Sequence, residues 1–323
     1  MLRDTMAAVF GARRSRMAMK LALGLLALSV VGCAHDLPGW KLASTQHFSM
    51  YTDVGRRTYG SVLDRLEEVH AGLASSFFDA SIPPLEVFLF SAGEFHELLG
   101  PIGGFFKGRR GRDGILVIYD GWDPKFIDEV AAHELAHGFI NATFRSCPVW
   151  FNEGFAVYTE SIKVMEDKVW FGSVNVDVGG DARGGYLAPV AELFAARSSE
   201  FHGGWERRNY TTAWAMIHYL WHGEDKRLRK RFDQLGNALA QGGRAPGASA
   251  RAWAAVYPDI PLAEIDDRLR GHLQRAFAQP RATLVGFQLV RPPPAPVQLA
   301  PADMRYVNEV RAELRKRRRP DKL

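Results

Sequence analysis

His133-Glu134-Leu135-Ala136-His137 and, sixteen residues further on, Glu153 within Trp150-Phe151-Asn152-Glu153-Gly154-Phe155-Ala156 form the stretch whose reading decides the fold. Two histidines four apart on an α-helix lie roughly 400° around its axis, so both imidazoles leave one face and can bind a single ion. Glu134 follows the first histidine on the same turn, placed to take a proton from a water that the metal activates. Five residues therefore supply two ligands, His133 and His137, and a general base.

The flanks fit a helix carrying such a site. Asp123-Pro124 offers an N-cap followed by proline at the first helical position, and Phe126, Val130, Ala131, Leu135, Ala136 and Phe139 spread apolar side chains along a helix that runs to about Asn141. A second helix starts at Cys147-Pro148 and is densely apolar as far as Glu160-Ser161, with Glu153 in its middle. An unpaired buried carboxylate is expensive, so Glu153 calls for a cation, and a zinc ion held by His133 and His137 would supply one. The plain alternative is a surface glutamate or one paired with Arg145.

These residues resemble the gluzincin metallopeptidases, the clan of thermolysin-like enzymes and zinc aminopeptidases. The match lies in His133 to His137 and in Trp150 to Tyr158, which is similar to the aminopeptidases' W-L-N-E-G-F-A helix. The resemblance implies one Zn2+ per chain with His133, His137 and Glu153 as ligands, and Glu134 as general base. It also implies an α+β, zincin-like fold: a small mixed sheet, then the two ligand helices, then a mainly helical C-terminal half. The spacing from His137 to Glu153 is about one helical turn shorter than in the aminopeptidases, and no G-x-M-E-N segment is present to bind a free amino group. The chain is therefore closer to the short peptidase-MA-like domains of bacterial lipoproteins, over residues 44–240, and an endopeptidase is implied more readily than an aminopeptidase. Gluzincins use a tyrosine or histidine donor at the oxyanion, for which Tyr210 is the candidate. Tyr210 also falls on an apolar stripe with Trp214, Ile217 and Trp221, so a core role is the alternative. His218 and His222, four apart, have no acidic partner at a suitable spacing and are expected to pack.

The N-terminus points to export. Arg13, Arg14, Arg16 and Lys20 precede an apolar run from Leu21 to Val31, and Gly32-Cys33 resembles a bacterial lipobox whose Cys33 becomes acylated. Ala34 after it resembles lipoproteins sorted to the outer membrane. The expected setting is the cell envelope, anchored in the lipid bilayer through Cys33 and facing the periplasm. Residues 1–32 hold five of the 41 Lys and Arg and one of the 36 Asp and Glu, which leaves the rest at about +1. Nucleic-acid binding loses its electrostatic basis. With Cys33 lipidated, Cys147 has no partner for a disulfide.

The organisation expected is a signal peptide over 1–32, a tether over 33–44, a metallopeptidase domain over 45–280, and a Pro-rich linker with a basic tail over 281–323. Strands are expected at His47 to Thr52, Leu85 to Phe90 and Ile115 to Tyr119, with an amphipathic helix from Tyr59 to Phe77 between the first two. Gly103-Gly104 and Gly108 to Gly114 bound a flexible basic segment, which leaves the third strand as the edge for an extended substrate. Val164 to Val178 is expected as a hairpin near the cleft, Gly179 to Gly185 as a mobile rim, and the terminal helix, ending in Arg315-Lys316-Arg317-Arg318-Arg319, as a separate element. The function expected is a zinc-dependent peptidase acting on peptide or protein. Its rival is a non-catalytic, zinc-stabilised envelope lipoprotein that binds or scaffolds, which would have no use for Glu134.

Overall fold

Leu85-Glu86-Val87-Phe88-Leu89-Phe90 is almost continuously apolar, as a strand covered on both faces must be, and in a computed structural model it lies inside a six-stranded mixed sheet. The structure describes residues 39–77, 82, 84–100, 104–109, 112–120, 124–144, 146–165, 167–174, 176–203, 206–279, 285–289 and 297–317. The expected signal peptide over 1–32, Cys33, Pro292 to Pro294 and the basic residues after Arg317 lie outside these. The N-terminal half runs β1 (Lys41–Ser44), β2 (Phe48–Thr52), α1 (Arg56–Ser76), β3 (Leu85–Phe90), α2 (Ala92–Leu99), β4 (Gly104–Arg109), β5 (Arg112–Tyr119), α3 (Pro124–Thr143) and α4 (Val149–Thr159). There follow β6 (Lys163–Met165), β7 (Lys168–Phe171), α5 (Val176–Arg183), α6 (Val190–Ala195), α7 (Ser198–Phe201) and α8 (Glu206–His222). The chain ends with α9 (Lys226–Lys230), α10 (Phe232–Gly242), α11 (Ala248–Val256), α12 (Ile265–Ala278), β8 (Val285–Gln288), β9 (Gln298–Pro301) and α13 (Met304–Arg317).

The main sheet has the order β4-β5-β3-β2-β1-β9, with β2, β3 and β5 parallel and the outer strands antiparallel. Alternation divides its side chains. Met50, Val87, Leu89, Leu116 and Ile118 pack with α1, α3 and α4 in the main core. Phe88, Phe90, Ile115 and Val117 face the other way, onto Phe95 and Leu98 of α2 and Val307, Val310 and Leu314 of α13. Helix α1 presents Tyr59, Val62, Leu63, Leu66, Val69 and Leu73 to the core, a stripe with helical period. The α+β class, the small mixed sheet and the helical C-terminal half are thus as expected.

Several expectations need correction. Lys41 to Ser44 is not tether but a strand, paired with β2 on one side and β9 on the other. The glycine-bounded basic segment is strand β4, so β5 is internal and β4 is the edge. The terminal helix does not stand apart: Tyr306 Oη donates to Glu86 (2.7 Å), Arg311 Nε donates to Glu94 (2.6 Å), and Arg311 stacks over Trp40. The hairpin β6-β7 forms, but its third strand is β8 from near the C-terminus, joined through a cluster of Phe77, Phe171 and Phe287. The expected rim over Gly179 to Gly185 belongs largely to α5.

Helices α4 and α8 touch through backbone. A methyl group on Gly154 would lie 2.5 Å from the Ala213 carbonyl oxygen and 2.7 Å from its carbon, so only glycine permits the approach. Gly154→Ala must push the two helices apart and is expected to cost about 1–3 kcal/mol in denaturant unfolding; an unchanged midpoint would refute the contact.

Behind α8 lies a buried histidine chain. His218 Nε2 donates to the Gly172 carbonyl (3.3 Å), which leaves its Nδ1 to accept from His272 Nε2 (2.8 Å), while the Tyr158 hydroxyl pairs with His222 Nε2 (2.9 Å). Burial pushes His218 to about 4, His272 to about 3 and His222 to about 2, all held neutral. The unfolded chain takes up these protons near pH 6.5, so their contribution to stability is complete above that pH and falls as pH drops toward 4. The thermal midpoint should decline between pH 6.5 and 5, and less steeply in His272→Gln; equal slopes would show that the chain of histidines does not titrate on unfolding.

Candidate metal centre

Helix α3 presents His133 and His137 one turn apart, with ring centroids 4.9 Å from each other. Helix α4 packs against it, and the Thr159 hydroxyl, 3.3 Å from the Ala132 carbonyl, ties the two together. Glu153, buried in the apolar face of α4, sets Oε2 at 3.6 Å from His133 Nε2 and 3.6 Å from His137 Nε2. One atom from each of the three lies within 4.8 Å of the others, a group that could hold a metal ion.

The surroundings prepare these atoms. His133 Nδ1 donates to Glu160 Oε1 at 2.8 Å, which orients the ring with Nε2 toward Glu153. Asn152 lies beside His137. Burial alone would raise Glu153, but the hydrogen bond from His133 and the charges of both histidines outweigh it and hold the carboxyl at about 2. Burial also lowers His133, yet Glu153 and Glu160 together raise it well above its ordinary value, while burial takes His137 down to about 4. Three carboxyl groups, Glu134, Glu153 and Glu160, thus stand around two imidazoles at the floor of a cleft, a setting that draws positive charge.

Glu134 is 7 % exposed and is not one of the three converging groups. Burial first and the Glu153 charge after it, against the pull of His133, raise it to about 7; a backbone hydrogen bond from Phe106 on β4 anchors the carboxylate. Tyr210, near the start of α8, reaches the centre from the other side. Its hydroxyl lies 3.3 Å from His202 Nδ1 and hydrogen-bonds Glu153, and burial together with the Glu153 charge keeps it protonated far above the usual tyrosine range. The structure therefore brings together all five candidates on the chain's interior helices: His133, Glu134, His137, Glu153 and Tyr210.

Two further residues join them. Glu160 sits seven positions after Glu153, two turns along the same helix face, a spacing legible in principle. His202 follows α7 with no local pattern to mark it. A cleft of about 1450 Å³ lies over the centre, lined among others by Gly104 and Phe106 of β4, His133, Glu134, His137 and Asn141 of α3, Asn152 and Glu153, Glu200 and His202, Tyr210, and the loop from Gly243 to Gly247. No described residue of the β6-β7 hairpin or of α5 lines it, in contrast to the expected position of both.

A scan against protein-family models finds no match, and no curated protein is similar in sequence.

Because Glu160 acts through His133 rather than on the ion, Glu160→Gln should weaken metal affinity about 10–100-fold in a chelator competition. Glu153→Ala, in the same assay, should lose stoichiometric binding. An unchanged affinity in both would remove the centre.

Proposed function

We propose that this chain is a zinc-dependent peptidase of the gluzincin, zincin-like type, an endopeptidase held at the bacterial envelope through acylated Cys33. The observation that carries this reading is the arrangement around the His-His-Glu group: it faces an open cleft in which a separate buried carboxylate, Glu134, and a protonated phenol, Tyr210, flank it. A site that only stabilised the fold would be closed by a fourth protein ligand and would need neither group. The donor set suits zinc. Tetrahedral bonds of about 2.0–2.2 Å place ligand atoms about 3.4 Å apart, close to the 3.6 Å from each imidazole to Glu153.

Zinc bound there would lower the pKa of a water to about 7 and polarise a substrate carbonyl. Glu134 accepts the proton from the attacking water and delivers it to the leaving amine, a role for which a carboxyl near neutrality is suited. Tyr210 and His202 donate hydrogen bonds to the carbonyl oxygen as it becomes negative. Strand β4 is an edge whose Gly104 and Phe106 line the cleft, so an extended peptide can add to it as a further strand beside Glu134. That mode engages backbone in mid-chain and favours an endopeptidase.

Purified chain is expected to bind one zinc and to cleave unfolded protein or peptide mixtures. Glu134→Ala should keep the zinc and lose cleavage, and Tyr210→Phe should lower kcat by about 10²-fold or more. Zinc retained with no turnover by the intact chain would favour the scaffold lipoprotein instead; absence of zinc would sink both.

A further inference from the structure

The cleft does not end at the metal centre. Its floor follows one face of α3 through Ile140 and Asn141 to Phe144, and then reaches Ser146, Cys147 and the loop between α10 and α11. Seven residues of helix separate His137 from Phe144, about 10 Å of rise, or about three residues of extended peptide.

That loop is held rigidly. Gly243 and Gly247 adopt positive φ at its two ends, the first capping α10 through its N–H to the Leu239 carbonyl (2.8 Å), and Arg251 Nη1 donates to the Pro246 carbonyl (2.9 Å). A methyl on Gly243 would stand 3.4 Å from Ser146 Oγ, so the loop meets the wall at the end of the α3 floor. Between the glycines, Arg244 lines the cleft and is exposed. No described carboxylate pairs with it; Glu200, which also lines the cleft, accepts from the Arg197 N–H (2.7 Å). Its charge reaches the Cys147 thiol, which burial raises to about 12 and Arg244 pulls the other way. The metal end of the same cleft is rich in carboxylate; this end presents an exposed guanidinium on a braced loop, a group that suits a planar carboxylate.

We propose that Arg244 forms a carboxylate-binding subsite of the cleft, at the end away from the metal centre, past the C-terminus of α3. The inference rests on the peptidase reading for its occupant, a peptide, and adds what that peptide carries: an acidic side chain or its own terminal carboxylate. Arg244 is a specificity residue and takes no part in the chemistry.

The test uses the full-length, zinc-loaded chain carrying Glu134→Gln, so that peptides bind without being cut. Hexapeptides with a single glutamate moved along the sequence, each matched to its glutamine twin and made with a free or an amidated C-terminus, are titrated by fluorescence anisotropy. One register should bind about tenfold tighter with glutamate than with glutamine, a typical charge-assisted pair, and Arg244→Ala should bring the ratio near one. Arg244→Glu should turn the preference to lysine at that register. Preference confined to free C-termini assigns the carboxylate to the chain end; preference kept in amidated peptides assigns it to a side chain. An acidic preference that survives Arg244→Ala, or no preference at any register, overturns the subsite. Because the residue is exposed, unchanged zinc content and thermal midpoint serve to exclude misfolding. The two readings part cleanly: Arg244-dependent binding without turnover by the Glu134 chain ends the peptidase reading alone, whereas cleavage blind to charge ends the subsite alone.

Discussion

A carboxylate in the middle of an apolar helix is the constraint around which the rest is arranged. Glu153 is 8 % exposed, between Trp150 and Phe151 on one side and Gly154 and Phe155 on the other. An ionised group in such a place carries an effective penalty of several kcal/mol unless charge and hydrogen bonds answer it. Two imidazoles from α3 do so, and the orientation of His133 is supplied by Glu160 at the C-cap of α4. The helices have to be close and immobile for this to hold. Gly154 meets Ala213 without side chains between them, which also delivers Tyr210, three residues earlier on α8, to the same oxygen atoms. The residue that admits the partner helix and the residue that needs its help are neighbours in sequence.

The sheet serves this centre indirectly. Its parallel strands β3 and β5 are buried on both faces, and β5 leads by a short connection into α3, so the position of His133 is inherited from a strand that cannot move. Strand β4 then covers β5 and turns its free edge to the cleft while its backbone holds Glu134. One element thus bounds the cleft and restrains the proposed base.

Much of this was legible in the residues. The histidine pair, the glutamate and both helices follow from spacing and apolar period, and β3 stands out because unbroken hydrophobicity in six residues has few other uses. What was missed shares a cause. Strand β4, Gly-Phe-Phe-Lys-Gly-Arg, carries glycine and positive charge that locally favour a loop, and only pairing with β5 makes it extended. Strand β9 is four residues long and ends in proline, tolerable because it is an edge. Helix α13 shows an apolar stripe at Val307, Val310 and Leu314, but the surface that receives it, Phe88 and Phe90, is more than two hundred residues away. His202 belongs to the centre through a tertiary approach to Tyr210 alone. Local pattern found the converging side chains; non-local pairing decided the boundaries.

The pairing of β1 with β9 has a consequence in time. Lys41 lies opposite Pro301 and Ser44 opposite Gln298, so the first strand of the sheet waits for one of the last segments of the chain to be made. The same is true of β7, which pairs with β8. Contacts so distant in sequence form slowly, because the intervening chain must be ordered before they are rewarded. The helix pair that carries His133, His137 and Glu153 is built from contacts a few turns apart and can assemble early. A chain emerging from synthesis would therefore bring the three groups that could hold an ion together while its sheet still lacked an edge.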